Sequence, residues 1–119
     1  MGRLHHSRYL VYFEMGRTEL LRERGLAYSA METRGRFIAI AEVRCRYLAP
    51  ARYDDEVVVE TQVEEVRGAR VVFHNRVLVR GPDGGETLAA EAAITGAMVG
   101  PDGRPMRFTE EESRLLRGD

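Results

Sequence analysis

The chain contains no lysine: all 18 of its basic residues are arginine. A Schiff-base or amine-nucleophile mechanism is therefore excluded, because no side-chain amine exists to carry it. The bias itself reads as coding preference or heat adaptation. There is one cysteine, Cys45, which rules out an intramolecular disulfide and any multi-cysteine zinc site. Three histidines, with His5 and His6 adjacent and His74 far along the chain, are a poor basis for a metal centre, and no metal is expected. No apolar run approaches the roughly 18 residues needed to span a bilayer. No signal-peptide core follows Met1. A cytoplasmic protein without a membrane partner is the expectation. Nor is there an excess of positive charge: 18 basic against 19 acidic side chains leave a net charge of -1, which argues against nucleic acid as the partner. A glycine-rich phosphate loop of the Walker or dinucleotide type is also missing.

What remains is an ordinary globular composition, 44% hydrophobic and 31% charged over 119 residues, enough for one domain with its own core. From Tyr9 to Gly25 the residues Tyr9, Leu10, Phe13, Gly16, Leu20 and Leu21 recur at spacings of three and four. That pattern predicts an amphipathic helix. Ser7 is placed to cap it and Gly25 to stop it. Leu26 to Arg36 reads as a loop, with Arg34-Gly35-Arg36 as its turn signal.

Four strands are predicted next. Phe37 to Leu48 alternates, with Phe37, Ala39, Ala41, Val43, Cys45 and Tyr47 on one face and Ile38, Ile40, Glu42, Arg44 and Arg46 on the other. Glu56 to Arg67 places Val57, Val59, Thr61, Val63 and Glu65 on one face. Arg70 to Arg80 and the alanine-rich Glu86 to Val99 follow, joined by the hairpin signal Pro82-Asp83-Gly84-Gly85. Thr109-Glu110-Glu111-Glu112 opens a short helix with an acidic first turn. A long helix ahead of an antiparallel meander predicts an α+β fold in which the sheet curls around the helix.

The residues at the start of the long helix carry the chemistry. A helix N-terminus presents unpaired N–H groups and partial positive charge, so it can polarise a carbonyl oxygen. His5, His6 and Ser7 stand at that spot.

The element order and two motifs resemble the hotdog-fold acyl-CoA thioesterases, of the 4-hydroxybenzoyl-CoA thioesterase-like branch. A loop of the type Asp-x-x-Gly-x-x-x-His-x-x-Tyr-Leu-x-x-Phe-Glu-x-x-Arg leads into that family's central helix. The chain matches it from Gly2 onward with His6, Tyr9, Leu10, Phe13, Glu14 and Arg17. The second match runs from Tyr47-Leu48-Ala49-Pro50 to Tyr53-Asp54-Asp55-Glu56.

The resemblance implies a single hotdog domain over residues 1–119, lacking the family's N-terminal strand. It also implies hydrolysis of a small or medium acyl-CoA, with coenzyme A as part of the substrate and no other cofactor. The family's usual aspartate lies seven residues before the motif histidine, a place that falls ahead of Met1. A start at an internal methionine of a longer protein is expected, with a shortened member as the alternative.

The candidate catalytic residues are His6, Tyr9 and Glu14. His6 positions a water or hydrogen-bonds the substrate, and Tyr9 lines the core or the pocket. Glu14 is a helical carboxylate that either acts as base or pairs with Arg17 or a sheet residue. His74 reads as locally satisfied and Cys45 as a small core residue. Arginines at the rim would meet the coenzyme A phosphates. Phe37 to Leu48 is expected to be a free edge that pairs with its twin, giving a homodimer or a homotetramer. The alternative function is a non-catalytic acyl-thioester binding or scaffold protein. A hotdog dehydratase is disfavoured, because that branch carries a different histidine loop.

Overall fold

A computed structural model describes residues 6–51 and 55–119, with side chains described from Arg8 onward in the first helix. The elements are α1 (His6–Glu23), α2 (Tyr28–Thr33), β1 (Phe37–Tyr47), β2 (Glu56–Arg67), β3 (Arg70–Arg80), β4 (Glu86–Val99) and α3 (Glu110–Arg117).

Helix α1 forms where the three-four spacing predicts it. Tyr9, Phe13, Leu20 and Leu21 are buried against the sheet. Burying a side chain such as Phe13 or Leu21 contributes about 1.5–3 kcal/mol. The helix begins at His6, so Ser7 lies inside the first turn rather than at the cap. Its other end closes as expected: Gly25 takes φ 79°, its N–H bonds to Arg22 O, and Leu26 N–H reaches Leu21 O. This is a Schellman closure in which buried Leu26 packs near buried Leu21.

The segment expected as loop contains helix α2. Gly35, at φ 72°, donates to Glu32 O, and Arg36 N–H bonds to Met31 O. The Arg34-Gly35-Arg36 signal is thus the C-terminal closure of a short helix that buries only Met31.

The four strands form one antiparallel sheet in the order β1-β4-β3-β2. Strands β2, β3 and β4 make the expected meander, but β1 crosses over to pair with β4 instead of β2. Two bulges correct the expected faces. An irregularity between Ile40 and Glu42 leaves Ala41 as an extra residue in β1. Ile38 and Cys45, expected on opposite faces, therefore both pack on the core. Phe37 and Ala39 move to the outer face, opposite Val99 and Ala97. In β2 the irregularity between Val63 and Glu65 puts Val66, not Glu65, against buried Val71.

Helix α1 packs mainly over β2 and β3. The close approach depends on Gly16: a Cβ there would lie 2.2 Å from Thr61 Oγ1. Beneath it Asn75, fully buried, accepts a hydrogen bond from Thr61 Oγ1 at 3.0 Å. Its Nδ2 has no partner among the described residues.

Helix α3 opens with a full capping box between Thr109 and Glu112, as its sequence signals. Glu112 also takes two hydrogen bonds from Arg36, at 2.8 and 2.6 Å. Arg24 donates to the carbonyls of Leu115 and Leu116, tying the end of α1 to the end of α3.

Candidate active site

The first turn of α1 leaves its leading N–H groups without intrahelical acceptors. His6 opens this turn. Its side chain, together with His5, Arg52, Tyr53 and Asp54, lies outside the described residues.

Tyr9 is 3% exposed and belongs to the core cluster. Its ring meets that of Tyr47 edge-on, with centroids 5.3 Å apart and planes at 65°. Contact between residues so distant in sequence depends on β1 running past the start of α1, which no local pattern announces. Burial raises the Tyr9 phenol above its ordinary value. A hydrogen bond from the backbone of Ala51 opposes the shift, and nearby Tyr12, Cys45 and Asp55 add to it. The Tyr47 phenol is pushed up to about 12, first by desolvation and then by its hydrogen bond with Cys45. The Tyr47 residue is 40% exposed, but its hydroxyl is engaged with the thiol. Burial likewise raises Cys45, partly offset by the Tyr47 bond.

All three groups therefore stay protonated at neutral pH. They form a neutral, largely internally bonded corner at the first turns of α1. Cys45 as a thiol is no nucleophile there.

Glu14 lies further along the same helix, exposed to solvent. The anticipated pairing with Arg17 is not made, since among the described residues no carboxylate lies within 4.0 Å of that guanidinium. Arg17 itself is 8% exposed, and its Nε donates to the Tyr28 hydroxyl at 3.2 Å. Sequence reasoning treated it as a mere partner for Glu14; its burial follows from its place one turn after Phe13 and one before Leu20. His74 is on the outer face of the sheet, with Nε2 3.9 Å from the Glu91 carboxylate, and is not part of this corner. Among the described residues no three metal-ligating side chains are grouped.

The model of the thioesterase superfamily matches residues 1–86, which takes in both motifs. The Bacillus subtilis protein YneP is 36% identical over 73 residues, 61% of this chain. The match spans about half of that relative's length, 53%. The Escherichia coli acyl-CoA thioester hydrolase YbgC is 29% identical over 100 residues, 84% of this chain and 72% of YbgC. Among solved structures, the Pseudomonas 4-hydroxybenzoyl-CoA thioesterase superposes with a TM-score of 0.86 at 21% identity, covering 96% of this chain and 86% of that one. This likeness establishes the hotdog fold, α+β, as expected.

Proposed function

The chain belongs to the thioesterase superfamily, and from that membership we propose that it hydrolyses small or medium acyl-CoA thioesters to free acid and coenzyme A. The observation that carries this reading is the first turn of α1 opening beside the protonated Tyr9–Tyr47 corner.

The thioester carbonyl oxygen takes hydrogen bonds from the helix N–H groups, which stabilise the charge it gains as water attacks the carbonyl carbon. One such donor is worth about 3 kcal/mol in the transition state. The C–S bond then breaks, and the coenzyme A thiolate leaves and takes up the proton that the attacking water gave to the base. His6 positions the attacking water, Tyr9 shapes the pocket wall, and Glu14, further along the helix, is the carboxylate available as base through an intervening water. No cofactor beyond the coenzyme A of the substrate is used.

Strand β1 is an edge of the described sheet. Pairing with the β1 of a second copy covers both edges, so the working unit is a homodimer, with a homotetramer built from two of them. The acyl group enters between the two copies. An acyl-CoA substrate sets the cytoplasm as the working compartment.

The test is thiol release from a panel of straight-chain, branched and aromatic acyl-CoAs with purified protein. Release from at least one, lost in His6→Ala, is the expected result. Silence across the whole panel overturns the hydrolase reading in favour of acyl-thioester binding.

A further inference from the structure

Because α1 packs over β2 and β3, its opposite flank faces a seam along β1. Leu10, Glu14 and Arg17 lie on that flank at i, i+4 and i+7. The flank is apolar and exposed at Leu10 and polar at its other end. The polar end is a cavity of about 370 Å³ lined by Glu14, Arg17, Tyr28, Glu32 and Ile40, among others.

Arg17 is the unusual member. It is nine-tenths buried, yet its one hydrogen bond among the described residues is Nε to Tyr28. Among the described residues its two terminal nitrogens have no acceptor, and unlike the Asn75 amide they are not sealed from solvent but open onto the cavity. Glu14 and Glu32 line the same cavity, but both are exposed, where water screens them.

We infer that Arg17 and Tyr28 form the distal end of the acyl site and select acyl groups ending in a carboxylate. This rests on the acyl-CoA thioesterase reading and names its substrate class. The planar fork of the guanidinium matches a carboxylate through two parallel hydrogen bonds. The Tyr28 hydroxyl accepts from Nε, so its own proton is available as a third donor. Arg17 lies eight residues beyond Tyr9, about 12 Å along the helix axis. A thioester at the head of α1 therefore places a terminal carboxylate at Arg17 when the acyl chain is of medium length.

The experiment compares suberyl-CoA, octanoyl-CoA and 8-hydroxyoctanoyl-CoA with purified protein. The expected wild-type kcat/KM for suberyl-CoA exceeds that for octanoyl-CoA by about tenfold or more. In Arg17→Met that ratio falls to near unity, through a raised KM for the suberyl substrate with kcat retained. Arg17→Lys, which keeps the charge but not the fork, retains part of the preference, and far-UV circular dichroism checks the fold of each variant. Equal handling of suberyl and octanoyl thioesters by the wild type overturns the inference while the hydrolase reading stands. So does a preference for the hydroxyl substrate, or one that survives Arg17→Met.

If no thioester is cleaved, the hydrolase reading is what fails. Calorimetric titration of free suberate against octanoate into wild type and Arg17→Met then decides the site alone. Suberate binding that is lost in the variant supports it, and equal or absent binding overturns it.

Discussion

Two mostly buried arginines face opposite circumstances. Arg36 is held by Glu112 through two hydrogen bonds; that carboxylate also accepts from the Thr109 backbone N–H, while the Thr109 hydroxyl accepts from the Glu112 backbone N–H. Charge, fork and carboxylate oxygens are all matched within the chain. Arg17 is more deeply buried as a residue, but among the described residues it hydrogen-bonds to a phenol alone. The first arrangement locks α3 onto the segment leading into β1. The second does nothing comparable for stability, and leaves donors directed into a cavity. Burial of an arginine therefore says little by itself; what matters is whether the chain supplies its counter-charge.

The contrast can be broken most sharply at the locked end. Arg36→Ala strands a buried carboxylate, and the expected loss is about 3 kcal/mol of unfolding free energy in urea titration. Gly16→Ala tests the closed flank of α1. Its Cβ meets Thr61 Oγ1 and Val59, so a loss of about 2 kcal/mol is expected by the same measurement.

Acid provides a milder probe. Burial pushes the Glu112 carboxyl up, but the Arg36 and Thr109 hydrogen bonds outweigh it and hold the carboxyl below its ordinary value. Its contribution is thus present above the unfolded value near 4.5 and is lost as pH falls through the lower folded value. Wild type should lose stability in that acid window, and Glu112→Gln should lose less of it.

Thr109→Ala removes one side of the capping box and should cost about 1 kcal/mol. The smallest effect is expected at Arg17→Met, within about 1 kcal/mol of wild type or slightly stabilising. A large destabilisation there would erase the distinction between the two arginines.

Much of this fold is legible in the sequence. The helical stripe of Tyr9, Phe13 and Leu20, the hairpin at Pro82-Asp83-Gly84-Gly85 and the Thr109 capping box each carry a local signature. The bulges at Ala41 and in β2 do not, because one extra residue in a strand leaves no compositional mark yet reverses every face beyond it. Helix α2 escaped because it buries one residue, too few to show a period. The pairing of β1 with β4 is non-local, so turn chemistry alone pointed to the wrong neighbour. The candidate site follows the same division. Tyr9 was placed by its motif and its stripe. The Tyr9–Tyr47 contact and the unmatched guanidinium of Arg17 required the chain to be folded.

Asn75 has a consequence for how the chain finds its register. It sits opposite Thr61, flanked on the same face by Val77 opposite Val59 and by Phe73 opposite Val63. A slip of two residues between β2 and β3 keeps every apolar side chain on the apolar face, so hydrophobicity alone does not oppose it. That slip carries the amide opposite a valine and strands both of its ends in the core, instead of Nδ2 alone. A single polar pair thus acts as a proofreading mark for a sheet whose valine-rich strands would otherwise tolerate misalignment.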